Sequence, residues 1–139
     1  MRSDPFMNFR FVVEIGHVQR GGFSRVKGIA REIKIDTYHE GGLNDFEHRL
    51  ASQTTFGNIT LERGLVDDYL WSWQEAAVEG RVERRDLTIS LRDGDRNELW
   101  RWLVDGAFPV KWSSADLDAS SAQAVVESVE FAHRGFRRG

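Results

Sequence analysis

Side chains that could do chemistry are few and scattered in this sequence of 139 residues. The four histidines are His17, His39, His48 and His133. None stands in an HExxH pattern or in a close cluster with carboxylates, which a metal site would need. Cysteine is absent, which excludes thiolate catalysis, disulfides and Cys-based zinc sites. His39 and His48 lie in or beside one polar stretch, and we interpret them as solvated loop histidines rather than metal ligands.

The serines, threonines and glycines also lack the settings that catalysis or nucleotide binding requires. No GxSxG nucleophile motif occurs in the sequence. Gly21, Gly22 and Gly28 are followed neither by a Gly-Lys-Ser/Thr sequence nor by a long helix, so we interpret them as turn glycines between strands. The sequence therefore predicts no catalytic residue, no cofactor, no metal ion and no enzyme activity.

Composition predicts one globular domain covering residues 1–139. The chain is 40% hydrophobic and 29% charged, which is sufficient for a packed core. Its net charge of −3 argues against a general nucleic-acid binder. No apolar stretch approaches the roughly 18 residues that span a bilayer, and no signal-peptide pattern is present. We therefore expect synthesis and folding in the cytoplasm, without insertion into a membrane.

Period-two alternation of apolar and polar residues predicts strands along most of the chain. About seven short strands are expected, the first over residues 9–15 and the last over residues 125–131. A short segment over residues 23–27 lies between the glycines, and a polar stretch without a strand pattern continues to Phe56. Asp93-Gly94-Asp95 is typical of a turn, and Pro109 predicts a bend or a sheet edge.

One segment shows helical spacing instead. Its apolar stripe consists of Val66, Tyr69, Leu70, Trp73 and Ala77. Asp67 and Asp68 are predicted to lie in the first turn, where the helix dipole favours them, and Gly80 suits a left-handed C-terminal cap. The predicted fold class is therefore mainly β, with an antiparallel barrel or sandwich and one flanking α-helix.

The five tryptophans are more than one small core needs. Trp71 and Trp73 point about 200° apart at the roughly 100° per residue of an α-helix. We expect Trp73 to enter the core and Trp71 to contact another subunit, because buried aromatic residues concentrate binding energy at interfaces. The sequence therefore favours an oligomer. The mixed-sign segment Glu83-Arg84-Arg85-Asp86 is either a solvated, salt-bridged edge or an ion-pair network between subunits.

Six segments in a characteristic order resemble the T4-like phage tail tube family, in particular the branch found in extracellular contractile injection systems. These segments are residues 22–29, 40–42, 58–64, 84–91, 108–112 and 126–135. The resemblance runs from about Asp4 to Phe136. It implies a β-barrel subunit that closes into hexameric rings, which stack into a hollow inner tube.

The same resemblance implies a long hairpin from Gly41 to Asn58 that takes part in ring stacking. Its implied stacking residues are Gly41, Gly42, Leu43, Phe46, Leu50 and Phe56. The implied partners are copies of the chain, the sheath, baseplate and cap proteins, and a payload in the lumen. The implied location is a phage tail-like particle or a virion, which lysis of the producing cell could release.

Two other interpretations stay open at this point. The chain could form the initiator ring that joins a tube to its baseplate. A barrel that binds a small molecule, with tryptophans lining its pocket, is the alternative from another class. The charged alternate faces of the strands fit that barrel poorly. A nucleic-acid-binding barrel would need a basic groove beside aromatic residues.

Overall fold

The computed structural model describes residues 9–38, 48–95, 97–114 and 124–139. This part of the chain forms nine strands and one helix. In chain order they are β1 (Phe11–Ile15), β2 (Val18–Lys27), β3 (Arg31–Tyr38), β4 (His48–Phe56), β5 (Ile59–Val66), α1 (Asp68–Val78), β6 (Arg85–Arg92), β7 (Glu98–Ser114), β8 (Ala124–Ala132) and β9 (Gly135–Arg138). The prediction of a mainly β fold with one helix is confirmed.

Six antiparallel strands close into a barrel in the order β6, β1, β2, β5, β8 and β7, with β7 pairing again with β6. The closure depends on the length of β7, which has 17 residues. Its first half pairs with β6 on one side and with β9 on the other, and its second half pairs with β8. Strands β3 and β4 form a separate two-stranded sheet, the hairpin.

The core fills the inside of the barrel, and α1 contributes to it. Leu70 and Trp73 are the buried residues of the helix. The Trp73 ring lies 5.7 Å from the Phe131 ring, and its Nε1 donates a hydrogen bond to the Glu83 carbonyl oxygen at 2.6 Å. This hydrogen bond satisfies the polar atom of a tryptophan that is only 5% exposed.

The ends of α1 show how the sequence sets its limits. The Asp67 carboxylate accepts a hydrogen bond from the Leu70 backbone N–H at 3.1 Å, so Asp67 is the N-cap and not a first-turn residue. Val66 was predicted as part of the helical stripe, but it is the last residue of β5, because its backbone pairs with Ala124. Gly80 has φ +92° and follows the C-cap residue, as predicted.

Strand β2 begins five residues earlier than the predicted segment. Gly21 and Gly22 lie inside the strand and are buried, so their interpretation as turn glycines is wrong. A Cβ atom at Gly21 would lie 3.1 Å from the Leu65 carbonyl oxygen and 3.2 Å from Leu70 Cδ1. Glycine is therefore needed here for the close approach of β5 and α1, rather than for a turn. Gly28, with φ +83°, does end the strand.

Several strands of the described chain contain register shifts. In β1, the pairing with β2 shifts between Val13 and Glu14. Near Pro109, β7 continues rather than ending, and its register with β8 shifts between Pro109 and Lys111. The predicted bend at the proline is thus a β-bulge within one long strand.

The hairpin begins earlier than the sequence predicted. The part of the polar stretch from His48 to Phe56 forms strand β4, which pairs with β3 from Arg31↔Phe56 to Tyr38↔His48. The hairpin therefore begins at Arg31 rather than at Gly41. Period-two patterning could not reveal β4, because this two-stranded sheet lies outside the barrel and one apolar face is not required.

The hydroxyl of Ser90 is fully buried and has no hydrogen-bond partner among the described residues. We expect Ser90→Ala to leave the free energy of unfolding unchanged or to raise it by up to about 1 kcal/mol, because it removes an unsatisfied buried polar group. Chemical denaturation would measure this, with the half-buried Ser128→Ala as control. A loss of more than about 1 kcal/mol would contradict this prediction.

Candidate functional site

The described residues contain no group of three or more histidine, aspartate and glutamate side chains that could hold a metal ion. His17 lies in the β1–β2 turn with φ 67°, and His133 lies between β8 and β9. His39 lies outside the described residues, and His48 is the first residue of β4. Within the described ranges, no helix has both the length and the hydrophobicity that crossing a membrane requires.

Core side chains fill the inside of the described barrel, and Trp73 and Trp100 border open pockets at its surface. Trp73 is packed in the core beside Phe131. Trp100 and Trp102 pack on each other at the barrel surface, with ring centroids 6.0 Å apart, and the Arg138 guanidinium lies 3.7 Å from the Trp100 centroid. These positions do not favour the small-molecule-binding barrel.

Among the described residues, Asp93 and Glu62 have a lowered pKa, and both form local contacts. Asp93 Oδ1 accepts hydrogen bonds from the backbone N–H groups of Asn97 and Asp95, each at 2.9 Å. These hydrogen bonds, that of Asn97 first, lower the pKa of Asp93 and stabilise the predicted turn. The pKa of Glu62 is lowered first by its hydrogen bond from Lys27 and further by nearby positive charges.

The outward faces of β2, β5, β8 and the end of β7 form one polar sheet face. Its residues are Arg25, Lys27, Thr60, Glu62, Lys111, Ser113, Ser128 and Glu130. Lys27 Nζ lies 2.8 Å from Glu62 Oε1, and Arg25 Nε lies 3.7 Å from Glu62 Oε2. Asn58 Nδ2 donates to Glu130 Oε2 at 2.9 Å. This face carries side chains of both charges together with uncharged polar ones, while the opposite face of the same strands packs in the core.

The polar sheet ends in two strand edges that have no partner among the described residues. The pairing of β2 with β1 stops at Phe23, which leaves residues 24–27 of β2 without a neighbour on that side. The pairing of β7 with β6 stops at Ala107, and beyond it β7 pairs only with β8. Open strand edges can pair with another chain unless they are covered.

The hairpin exposes an apolar face. Ile33 is 58% exposed and Ile35 is 54% exposed, although both are large aliphatic residues in a strand. Beside them lies a groove of about 590 Å³ lined by Arg31, Ile33, Thr54 and Phe56. Two neighbouring isoleucines on one face of a thin sheet form an apolar surface that a partner can cover.

The base of the hairpin is fastened to the end of the barrel by aromatic side chains. The Phe56 ring lies 5.7 Å from the His133 ring and 5.8 Å from the Phe136 ring. Arg31 Nη1 donates to the Phe136 carbonyl oxygen at 3.0 Å, and its guanidinium lies 5.2 Å from the Phe136 centroid. Sequence reasoning missed this cluster, because it joins residues that are far apart in the chain.

The outer face of α1 carries the tryptophan that the sequence assigned to an interface. Trp71 is 42% exposed, and its ring meets the half-buried Trp112 edge-on at 5.2 Å. Val78, two turns later on the same face, is also exposed. The structure thus confirms that Trp71 and Trp73 point in different directions, and it leaves an apolar strip at the surface.

Residues 7–137 match the family described as T4-like virus tail tube protein gp19. The chain belongs to this tail tube family. Membership explains the barrel, the single helix and the hairpin together, and the resemblance inferred from the sequence is confirmed. No curated protein matches this tail tube chain.

Solved structures support the same family. A chain of an extracellular contractile injection system, in a PVC sheath–tube complex in the extended state, is 27% identical with TM-score 0.71, covering 95% of this chain and 89% of that one. A chain of the PVC sheath/tube terminator is 27% identical to this chain, with a TM-score of 0.69. The match covers 99% of this chain and 98% of the terminator chain. A chain of the 6-fold symmetrised anti-feeding prophage baseplate is 25% identical to this chain, with a TM-score of 0.70. The match covers 99% of this chain and 97% of the baseplate chain.

In this tail tube chain, the segment from Arg84 to Asp86 binds the bend of β7 that contains Gly106. Arg84 Nη1 donates to the Gly106 carbonyl oxygen at 2.8 Å, and the Gly106 N–H donates to Asp86 Oδ1 at 3.0 Å. Arg85 forms an ion pair with Glu83. These contacts lie within one chain, and a role of the three residues between subunits stays a prediction.

The predicted stacking residues of the tail tube chain are only partly described. Gly41, Gly42, Leu43 and Phe46 lie outside the described residues, and Leu50 lies in β4. Phe56 ends β4 and packs against His133 and Phe136 of its own chain. Sequence reasoning did not single out Ile33 and Ile35 as surface residues, because their alternation is that of a strand with one buried face.

Proposed function

We propose that this chain is the inner tube subunit of a phage tail-like contractile injection system. One domain forms hexameric rings, and the rings stack into a hollow conduit for a payload. The observation that carries the stacking contact is the exposed apolar face of the hairpin, Ile33 and Ile35, on a chain of the tail tube family. The role is structural and involves no catalysis.

Contacts around the ring are head-to-tail, so each subunit uses two different surfaces. The open edges of β2 and β7 lie at opposite ends of the polar sheet and suit such a contact. The exposed strip of Trp71 and Val78 supplies a further apolar surface. Arg84, Arg85 and Asp86 are the polar candidates for the contact between neighbours.

The polar sheet face lines the lumen in this proposal. It carries charges of both signs, such as Lys27, Glu62 and Lys111, and is mostly polar, which gives a payload little apolar surface to adhere to. A wet, mixed-charge wall suits a conduit through which cargo must move. The opposite face of the same strands packs in the core.

The proposed partners are sheath, baseplate and cap proteins, and the proposed location is an extracellular phage tail-like particle whose subunits are made in the cytoplasm. The support comes from the structural relatives, which belong to a sheath–tube complex, a sheath/tube terminator and a baseplate. The second candidate function is the ring that joins the tube to the baseplate. The anti-feeding prophage baseplate supports this candidate, because its matching chain has a TM-score of 0.70 and the chain from the sheath–tube complex has one of 0.71.

Replacing Ile33 and Ile35 together by aspartate is expected to abolish stacking while leaving the subunit folded. Burying an isoleucine contributes about 2 kcal/mol, so losing both contacts should raise the concentration needed for stacking by well over tenfold. Negative-stain imaging of the concentrated protein, with circular dichroism to verify folding, would measure this.

The control for the hairpin variant is Val82→Asp, which changes an exposed valine outside the hairpin and should leave stacking intact. Tubes of normal length from the double variant would show that the apolar face of the hairpin is not the stacking contact. A wild-type protein that stays monomeric at every concentration, with and without baseplate proteins, would contradict the tube function itself.

A further inference from the structure

The hairpin is joined to the barrel by two short backbone connections. Among the described residues, β3 and β4 pair only with each other, so the strand pairing of the barrel does not extend into the hairpin. The connections are residues 28–30, between β2 and β3, and residues 57–58, between β4 and β5. Each contains a glycine, Gly28 or Gly57, and glycine permits more backbone conformations than any other residue. Side-chain contacts are therefore needed to fix the direction in which the hairpin leaves the barrel.

Arg31 makes such contacts at the first position of the hairpin. It is the first residue of β3, and its backbone pairs with Phe56 at the end of β4. Its Nη1 donates a hydrogen bond to the Phe136 carbonyl oxygen at 3.0 Å, and its guanidinium carbon lies 5.2 Å from the centroid of the Phe136 ring. Phe136 belongs to β9, which pairs with β7 of the barrel. One side chain thus connects the base of the hairpin to a strand of the barrel sheet.

The chemistry of arginine suits this double contact. A hydrogen bond from a charged donor is stronger than one between neutral groups, and a guanidinium within about 6 Å of a ring centroid is attracted to the ring. A planar guanidinium can donate to a carbonyl oxygen while it lies over a ring, whereas the ammonium of lysine is a compact point charge. Arg31 is exposed, so its contacts should add little to the stability of the barrel. Their effect should be on the direction of the hairpin.

A small change of angle at the base becomes a large displacement along the hairpin. Ile35 lies four residues beyond Arg31, which is about 13 Å along an extended strand. A tilt of about 20° at Arg31 would therefore move Ile35 by about 4 to 5 Å, which is as long as an apolar contact itself. The exposed face of Ile33 and Ile35 can meet a fixed partner surface only when the base holds one angle.

We propose that Arg31 is a positioning residue, which sets the direction of the hairpin for ring stacking through its contacts with Phe136. This inference rests on the proposed function, because stacking is the event that the direction serves. A hairpin that is held in one direction beforehand loses less conformational freedom when it meets the next ring. Since Arg31 also borders the groove beside Ile33, a direct contact with the next ring is the competing explanation.

Distances between spin labels in the dissociated subunit would measure the direction of the hairpin without any tube. The chain has no cysteine, so Gln53→Cys in β4 and Glu75→Cys in α1, both at exposed positions, can be labelled specifically. The chain with Arg31 should give a narrow distance distribution. Arg31→Ala should increase the population of other distances about fivefold, as the loss of one hydrogen bond implies, and Arg31→Lys should not restore the narrow distribution. Equal distributions with Arg31 and with alanine would overturn the proposal.

Stacking would be measured on the concentrated protein without labels. Arg31→Ala should raise the concentration needed for stacking about fivefold, while ring formation persists and the Tm falls by less than about 3 °C. Phe136→Leu removes the ring on the barrel side, outside the groove, and should also raise that concentration. The two substitutions together should have less than the product of their separate effects, because they remove a shared contact. Effects that multiply fully would show that Arg31 acts by direct contact with the next ring.

The matched control is Arg137→Ala, which removes an exposed arginine from the residue next to Phe136. Arg137 forms its ion pair with Asp105 of β7, so the distance distribution and the stacking concentration should be those of the wild type. An effect as large as that of Arg31→Ala would indicate a general consequence of lost charge and would overturn the positioning role. If the wild type never stacks, the proposed function fails, whereas the spin-label distances still decide whether Arg31 fixes the hairpin.

Discussion

Replacing Trp73 by alanine is expected to destabilise the subunit by about 4 kcal/mol. Removing a buried tryptophan typically costs 3–5 kcal/mol, because a large cavity forms and packing is lost. Here the Glu83 carbonyl oxygen also loses the hydrogen bond from Nε1. For a chain of 139 residues, such a loss lowers the Tm by about 10 °C or more. Differential scanning calorimetry would measure it.

The matched control is Trp71→Ala, two residues earlier in the same helix. Trp71 is 42% exposed and touches Trp112, so its loss should lower the free energy of unfolding of the subunit by only about 1 kcal/mol. Under the proposed function, the same variant should reduce ring formation, which mass photometry would detect. A subunit that melts early with Trp71→Ala, yet still forms rings, would show that the two faces of α1 are assigned the wrong way round.

Replacing Gly28 by alanine is expected to cost at least about 3 kcal/mol, even though it adds only one methyl group. Gly28 has φ +83°, which costs an L-residue roughly 1–2 kcal/mol. A Cβ atom would also overlap the Asn58 carbonyl oxygen, which is a backbone atom and cannot turn away. The tight contact between the ends of β2 and β5 would have to open. Urea unfolding would report the difference.

Two other glycines separate the causes of that loss. Gly80 has φ +92° but open space around its Cβ position, so Gly80→Ala measures the conformational cost alone, roughly 1–2 kcal/mol. Gly94 has neither a positive φ nor a close neighbour, and its substitution should change the free energy of unfolding by less than about 0.5 kcal/mol. If Gly28→Ala costs no more than Gly80→Ala, the predicted overlap with Asn58 is absent.

The local sequence predicted those elements that depend on contacts between residues close in the chain. The helix was predictable because Leu70 and Trp73 recur at helical spacing and Gly80 marks its C-terminal end, whereas the capping role of Asp67 was not predicted. The turn at Asp93 was predictable because its side chain bonds the backbone two and four residues later. The order of segments along the chain identified the family before any contact was known.

Tertiary packing decided the elements whose cause lies elsewhere in the chain. Gly21 resembled a turn glycine, but it lies within strand β2. Glycine is needed there because Leu65 and Leu70 come too close for a side chain. The polar strand β4 became visible only through its pairing with β3.

The contacts at the base of the hairpin could not be predicted from the sequence either. Phe56, His133 and Phe136 come from distant segments, and Gly57 lies 76 residues from His133. Period and propensity act over a few neighbouring residues, whereas a close approach or a hydrogen bond between distant strands depends on where the closed barrel brings them.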